Sequence, residues 1–222
     1  MLLLSLYASY SGSFNPNTGT TVSGDALKPE KGEGYEAGVK AELLGGKLLT
    51  TLAYFDITRQ NVATADPNNL IGGFQIAAGE QKSRGVELDL SGQILPGWNI
   101  IAAYTYTDAT VTKDTNALFV GSTLPNIPKN SASLWTTYEL QQGSLQGLGF
   151  GAGFNYVGDR FGGLPNSFEV GSYFVTNAAL FYRRDNWRSS NSNSLCLRWS
   201  CTNDSVYHWL VYLARCRSRS VS

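Results

Sequence analysis

The sequence predicts an all-β fold, built as an antiparallel up-and-down meander. Apolar and polar residues alternate with a period of two along most of the chain, which is typical of strands with two different faces. Short and long connections take turns between these runs. The chain has 24 glycines and 12% aromatic residues but only 15% charged residues, whereas soluble domains average roughly 25%. Many of its side chains are therefore expected to face something other than water.

The charge balance and the apolar runs exclude several classes of protein. Lys and Arg number 17, as do Asp and Glu, so no basic surface for a nucleic acid is expected. The sequence has no run of about 18 apolar residues, so a transmembrane helix is not predicted. Residues 1–6 are apolar but lack a basic region and a cleavage site, unlike a signal peptide. An outer-membrane protein needs such a signal, so its absence counts either against that location or against the completeness of the chain.

The first predicted strands lie on either side of a glycine turn. From Tyr35, apolar residues alternate with polar or small ones until Gly45 and Gly46 make a tight turn. The next run, residues 47–61, is expected to place Asp56 and Thr58 on one face. Its other, apolar face is expected to hold Leu49, Thr51, Ala53, Phe55 and Ile57.

Five further strands are predicted after a polar loop. Residues 74–94 form one long strand that is expected to bend near Gly79 and Glu80, and Pro96 and Gly97 then turn the chain. The apolar faces of the five strands are expected to hold Val86, Leu88, Leu90 and Ile94, then Trp98, Ile100, Ala102, Tyr104 and Tyr106, then Ala132, Leu134, Thr136, Tyr138 and Leu140, then Leu148, Phe150, Ala152, Phe154 and Tyr156, and last Phe174, Thr176, Ala178, Leu180 and Tyr182.

The connections and the faces together favour a transmembrane β-barrel over a soluble sheet. Short connections (45–46, 95–97, 141–146 and 184–186) alternate with long ones (15–34, 62–73, 112–130 and 158–171), as short periplasmic turns alternate with long outer loops. The apolar faces carry no charge, while the opposite faces suit a polar lumen. Trp98, Tyr138 and Tyr182 adjoin short turns, where an aromatic girdle belongs. The alternative is a soluble antiparallel sheet with one solvent-exposed face.

Several motifs resemble the C-terminal barrel of TonB-dependent siderophore receptors of the ferrichrome-receptor type. They occur in the family's order between about residues 4 and 188. The motifs are at 6–10 (Leu-Tyr-Ala-Ser-Tyr), 13–16 (Ser-Phe-Asn-Pro), 27–30 (Leu-Lys-Pro-Glu), 34–40 (Gly-Tyr-Glu-Ala-Gly-Val-Lys), 54–57 (Tyr-Phe-Asp-Ile), 60–62 (Gln-Asn-Val), 79–89 (Gly-Glu-Gln-Lys-Ser-Arg-Gly-Val-Glu-Leu-Asp), 96–98 (Pro-Gly-Trp), 104–108 (Tyr-Thr-Tyr-Thr-Asp), 126–128 (Asn-Ile-Pro) and 156–160 (Tyr-Val-Gly-Asp-Arg).

The resemblance implies a fold and a function that the residues alone do not give. The family forms a plugged barrel of about 22 strands, of which this chain would supply the last eight to ten, with no plug domain. It implies uptake of ferric siderophores across the cell outer membrane of a Gram-negative bacterium. TonB would be contacted only through an N-terminal part that this chain lacks. Iron would arrive chelated, so no resident cofactor or direct metal ligand is expected.

The chain is expected to divide into two parts. Residues 1–188 are predicted to be the partial barrel, and residues 189–222 an aberrant tail, in which a shifted reading frame is our hypothesis. The alternation is lost there, and the tail holds every cysteine and the only histidine: Cys196, Cys201, Cys216 and His208. Their spacing matches no zinc motif, so a metal site is not predicted.

No catalytic site is predicted, and the candidate ligand contacts are loop residues. Glu87 and Asp89 share one strand face, where solvated lumen charge is expected rather than acid–base catalysis. Aromatic side chains near the mouth of a lumen suit a siderophore, and an arginine suits an anionic chelate. The candidates are Phe14, Phe119, Arg160, Phe161 and Phe168. Two alternatives stay open for the chain as a whole: a small porin-like outer-membrane barrel and a soluble β-sheet binding module.

Overall fold

The structure, a computed structural model, is an antiparallel β-sheet protein. It describes residues 3–69 and 71–183, together with the backbone of residues 195–202 and 212–215. The strands are β1 (Leu3–Asn15), β2 (Glu30–Leu43), β3 (Leu48–Ala65), β4 (Gln75–Leu95), β5 (Trp98–Lys113), β6 (Asn130–Glu139), β7 (Leu148–Val157), β8 (Arg160–Phe161), β9 (Glu169–Val170), β10 (Tyr173–Tyr182), β11 (Leu195–Thr202) and β12 (Tyr212–Arg215). Within these ranges, no helix is long and apolar enough to span a membrane.

Ten strands form one sheet in sequence order, which confirms the predicted meander. The order is β1-β2-β3-β4-β5-β6-β7-β10-β11-β12, and β8 and β9 form a small hairpin of their own. Short turns at 44–47, 96–97 and 140–147 alternate with longer connections at 16–29, 66–74, 114–129 and 158–172. Strands β1 and β12 are the two ends of the order and are not paired with each other in the described residues. The sheet is therefore open, as expected for part of a larger barrel.

The turn at 44–47 shows why the sequence places glycines there. Leu44, Gly45 and Gly46 all have positive φ, at 53°, 70° and 86°. The N–H of Gly46 donates to the carbonyl of Leu43 at 3.1 Å. Glycine adopts this left-handed backbone without the steric cost that a side chain adds, so the turn closes in four residues.

The strand register divides the side chains into an outer face and an inner face. Directly paired residues point to the same side of a sheet, and one such row runs Val39, Leu52, Leu88, Tyr104 and Ala132. This outer face continues through Tyr156 and Phe174. The inner face holds Lys40, Thr51, Asp89 and Ala103 in a comparable row. A cavity of about 390 Å³ lies against the inner face, lined by residues of β5, β6, β7 and β10.

The predicted face of β3 is wrong. Leu49, Thr51, Ala53, Phe55 and Ile57 pair across the strands with inner-face residues such as Glu42 and Glu36, and with Glu87 and Ser83. The outer face of β3 instead holds Leu48, Thr50, Leu52, Tyr54 and Asp56. Both faces of this strand are apolar along its lower half, so alternation alone does not tell which of them faces outward.

The strand pairing is irregular near Gly79 and Glu80, where the sequence predicted a bend. The register between β3 and β4 shifts on either side of Val62, which pairs with Gly79. Asn61 is the extra residue on β3, and Ala78 is the extra residue on β4. Asn61 has φ 59°, a left-handed conformation that asparagine tolerates better than most residues. Its side-chain amide donates to the carbonyl of Pro29 at 3.0 Å. The bulge therefore also ties the first long loop to the sheet.

The outer face has the height of a membrane-spanning apolar band. Trp98 and Asp108 lie ten residues apart on the outer face of β5, which is about 33 Å along a strand. At the tilt of about 40° usual in such barrels, the height is about 25 Å. Trp98 pairs with Tyr138 near the short turns, as expected for the lower girdle. Tyr54, Tyr104 and Tyr106 lie toward the long loops and are all more than 40% exposed.

The inner face contains a repeated pairing of an aromatic ring with a glycine. The direct cross-strand pairs are Tyr7 with Gly38, Phe55 with Gly85, Trp135 with Gly153, and Phe181 with Gly149. In each case a Cβ on the glycine would approach the ring to less than 3 Å. The rings therefore lie against the backbone of the neighbouring strand.

Candidate functional site

The candidate site lies where two long loops meet above the inner face. We call residues 114–129 and 158–172 the outer loop pair. The side-chain amide of Asn166 donates to the carbonyl of Thr123 at 2.8 Å and accepts from its N–H at 2.8 Å. The N–H of Asn126 donates to the carbonyl of Phe161 at 2.7 Å. These bonds join loops that are about 40 residues apart in sequence into one folded unit.

Arg160 is the one arginine of the outer loop pair. Its Nε donates to Oδ1 of Asn126 at 2.9 Å, and its guanidinium lies 5.6 Å from the ring centroid of Tyr173, within cation–π range. Its Nη1 is buried and has no hydrogen-bond partner in the described residues. Because a buried donor without an acceptor is costly, Arg160 is suited to an acceptor that reaches it from outside these residues.

The four phenylalanine candidates occupy different surroundings. Phe119 is half-buried in loop 114–129, and Phe161 is half-buried beside Arg160. Phe168 is 58% exposed, with its ring packed near Gly162. Phe14 was expected in the first loop, but it lies in β1 and pairs with Lys31 on the outer face. The loop starts only after Asn15, so the structure brings Phe161 and Phe168 to Arg160's loop and leaves Phe14 apart.

Charged side chains of the inner face form a separate group lower in the sheet. The hydroxyl of Tyr7 donates to Glu36, and the Nζ of Lys40 lies 4.8 Å from the Tyr7 ring centroid. Glu87 and Asp89 face the same side, as the sequence predicted for lumen charge. The cavity lies further along the sheet, on β5, β6, β7 and β10, and is lined by Ile101, Ser133, Leu134, Trp135, Asn155, Asn177 and Ala179.

The loop after β3 is held by an acidic side chain. Oδ2 of Asp66 accepts from the side-chain amide of Asn69 at 2.9 Å, and its Oδ1 accepts from the N–H of Asn68 at 2.9 Å. These two bonds hold the pKa of Asp66 below its usual value, and the bond from the Asn69 amide has the larger effect. Asp66 is thus a fully charged capping group of this loop at neutral pH.

The described residues contain no group of three or more His, Cys, Asp or Glu that could hold a metal ion. The side chains of Cys196, Cys201, Cys216 and His208 lie outside the described residues, and so does most of the predicted tail 189–222. The frame-shift hypothesis for that tail stays a prediction.

Sequence reasoning missed the residues that organise the outer loop pair. Asn126 and Asn166 both have positive φ, at 62° and 68°, and both adjoin a proline closely in sequence. Asparagine beside proline in a loop is the one available signal for such a conformation. It does not reveal which distant backbone the amide will contact.

The fold and the site together define a class of protein: a segment of an antiparallel, membrane-type β-barrel with joined outer loops. The family model described as TonB dependent receptor-like, beta-barrel, matches residues 3–197. The metal-pseudopaline receptor CntO of Pseudomonas aeruginosa is 49% identical over 178 residues, which cover 80% of this chain and 25% of that protein. The ferrichrome outer membrane transporter/phage receptor of Escherichia coli is 39% identical over 176 residues, covering 79% and 23%.

Solved structures agree with this relationship. The FpvA receptor of Pseudomonas aeruginosa bound to a heterologous pyoverdine superimposes with a TM-score of 0.71 at 27% identity, covering 88% of this chain and 26% of that one. The chain belongs to the TonB-dependent receptor family, as part of its β-barrel. It spans about a quarter of the length of the curated relatives it matches.

Proposed function

We propose that this chain is the barrel segment of an outer-membrane receptor that takes up ferric siderophores with energy from TonB. The family match over residues 3–197 carries the proposal. The apolar outer face, about 25 Å tall, supports a location in the outer membrane. Relatives whose names state ferrichrome, pyoverdine and ferrioxamine B support a ferric siderophore as cargo.

A chelate of another transition metal is a second candidate cargo. The relative described as a metal-pseudopaline receptor is 49% identical, against 39% for the ferrichrome transporter. Higher identity in the barrel favours similar outer loops, and the loops carry ligand contacts in such receptors. The two cargoes share their chemistry, a metal enclosed by an organic chelator, so neither requires a metal site made of protein ligands.

Arg160 is the contact residue that the geometry supports best. Its unpaired Nη1 and its stacking on Tyr173 suit a carboxylate or another anionic oxygen of a chelate. Phe161 and Phe168 adjoin it in the same loop and offer apolar surface, and Phe119 lies in the partner loop. Phe14, on the outer face, is better suited to the lipid boundary.

The chain on its own is not expected to transport. Strands β1 and β12 leave two edges of the sheet without a strand partner in the described residues, and lipid does not tolerate unpaired backbone groups. Catalysis is not part of the proposal, since the relatives of this chain are named as receptors and transporters. No resident cofactor is part of it either, because iron would arrive and leave as a chelate.

Uptake by the complete receptor that contains this segment tests the proposal. Cells that lack other siderophore receptors would express it and receive a radiolabelled metal as its pseudopaline chelate, or radiolabelled iron as ferrichrome or ferric pyoverdine. Saturable uptake of one chelate that stops when TonB is deleted is the expected result. Binding of no chelate by a correctly inserted receptor would contradict the function.

The contact role of Arg160 is tested by Arg160→Gln in the same receptor. Removing a charge-assisted contact typically costs about 1.5–3 kcal/mol, which is about tenfold or more in the Kd of an anionic chelate. Arg183→Gln is the matched control, because Arg183 pairs with Glu139 at 3.1 Å at the short-turn end. Equal Kd values for the two variants would exclude Arg160 from the binding site.

A further inference from the structure

Asn126 connects the two loops of the outer loop pair and contacts Arg160. Its N–H donates to the carbonyl of Phe161 at 2.7 Å, and its side-chain Oδ1 accepts from Nε of Arg160 at 2.9 Å. Its backbone has φ 62°, a left-handed conformation that asparagine tolerates better than most residues. The backbone bond therefore fixes Asn126 against loop 158–172, and its Oδ1 is held at a defined place beside the guanidinium.

The ring of Tyr173 holds the guanidinium of Arg160 on the lumen side. Successive side chains of a strand point to opposite faces, and Phe174 lies on the outer face, so Tyr173 lies on the inner face. The guanidinium lies 5.6 Å from the centroid of this inner-face ring. Its Nε is bound to Asn126, whereas its Nη1 has no hydrogen-bond partner in the described residues. Arg160 is thus oriented by two neighbours and still lacks an acceptor.

No carboxylate compensates the charge of Arg160 within the described residues. The ion pairs found there use other cations. Oδ1 of Asp159, the neighbour in sequence, accepts from the N–H of Ser172 at 2.5 Å. Asn126 supplies an oxygen acceptor that carries no negative charge. A carboxylate in its place would also orient the guanidinium, but it would cancel the charge that attracts an anion. The neutral amide therefore suits an arginine whose charge is kept for a ligand.

We propose that Asn126 is a positioning residue, which orients Arg160 on the lumen side and leaves its charge available to an anionic oxygen of the cargo. This inference rests on the proposed function and adds a residue that favours chelates with an anionic group. An oriented guanidinium loses less rotamer freedom when it binds. An anionic oxygen then forms a charge-assisted bond with it, whereas a neutral chelate gains less from the same contact.

Two substitutions of Asn126 separate its effect on charge from its effect on orientation. Asn126→Asp keeps an oxygen acceptor but compensates the charge of Arg160, so the Kd of an anionic chelate should rise about fivefold. Asn126→Gly keeps the positive φ but removes the acceptor, so the Kd should also rise about fivefold through the rotamer freedom that Arg160 regains. A merely structural role predicts otherwise for Asn126→Asp, because its stronger bond to Arg160 would hold the loops at least as well and leave the Kd unchanged.

A double-mutant cycle with Arg160→Gln in the complete receptor tests whether Asn126 acts through Arg160. The purified receptor is titrated in detergent with the metal chelate of pseudopaline, with ferrichrome and with ferric pyoverdine, and tryptophan fluorescence gives the Kd. Neither Asn126 variant should raise the Kd further once Arg160→Gln is present. Asn166→Asp is the matched control at the other positive-φ asparagine of the outer loop pair, whose side chain bonds to Thr123. It should change the Kd by less than about twofold.

The outcomes distinguish failure of the positioning role from failure of the proposed function. Wild-type affinity in both Asn126 variants would overturn the positioning role alone, and so would an effect that persists undiminished beside Arg160→Gln. An unchanged Kd in Arg160→Gln by itself would exclude Arg160 from the binding site and overturn the positioning role with it. An inserted wild-type receptor that binds none of the three chelates would overturn the proposed function and this inference together.

Discussion

Adding one methyl group at Gly85 should destabilise the barrel measurably. A Cβ at this position would lie 2.0 Å from the carbonyl oxygen of Tyr106 and 2.7 Å from the ring of Phe55. The ring is able to turn aside, but the oxygen belongs to the backbone of the paired strand β5. That oxygen must retreat by about 1 Å before the contact is tolerable, so the local ladder has to open.

The size of the effect follows from these two contacts. Overpacking of this kind costs about 1–3 kcal/mol, and a weakened ladder hydrogen bond costs about 1 kcal/mol more. Replacing glycine in a strand returns about 0.5–1 kcal/mol through the lower entropy of the unfolded chain. We therefore expect Gly85→Ala to lower the free energy of unfolding by about 2 kcal/mol.

Gly12 provides a control with the same substitution in a strand. A Cβ there would meet only the carbonyl oxygen of Gly32, at 4.0 Å. Gly12→Ala should be neutral or slightly stabilising. Both variants of the complete receptor would be unfolded in urea in detergent micelles, with tryptophan fluorescence as the readout. Equal unfolding free energies for Gly85→Ala and Gly12→Ala would refute the argument from close approach.

Three further results are expected. Asn166→Ala removes both bonds to Thr123, so limited proteolysis should cut within 158–172 faster while the urea midpoint of the barrel stays unchanged. Trp98→Ala loses the bond from its indole N–H to Thr136 at 2.7 Å and a girdle ring, so insertion into lipid vesicles should slow, whereas Tyr173→Ala at the opposite end should not slow it. The pKa of Asp66 is lowered in the folded state. Its contribution to loop stability is therefore present above the ordinary carboxyl pKa of about 3.9 and is lost as pH falls through the folded value. Amide exchange in 66–74 should accelerate as pH falls through that value, and Asp66→Ala should remove this pH dependence.

The meander and most faces of its strands were predictable because each depends on local sequence. Alternation from Trp98 to Tyr106, and from Phe174 to Tyr182, predicts which side chains share the outer face, and the structure agrees with it. The face of β3 was not predictable, since Leu48 and Leu49 are equally apolar and only the pairing with β2 decides between them. Phe14 was expected among the loop residues, yet it belongs to β1, because β2 pairs with β1 as far as Asn15.

The site was less predictable than the fold for a related reason. The contact between Arg160 and Asn126 joins residues 34 apart, and the contact between Arg160 and Tyr173 depends on a loop that folds back on itself. Composition indicates that such loops carry function. It does not indicate which side chains converge, because convergence depends on strand register and loop conformation together.

The rings packed over glycines on the inner face also favour the correct strand register. A slip of two residues between neighbouring strands keeps every side chain on its own face, so alternation does not oppose it. Such a slip would move the ring of Phe55 from Gly85 onto Ser83 or Glu87, and the ring of Tyr7 from Gly38 onto Glu36 or Lys40. Each of these positions is occupied by a side chain where the ring needs bare backbone. In a long, repetitive sheet, these ring–glycine contacts therefore favour the correct strand alignment over one that is shifted by two residues.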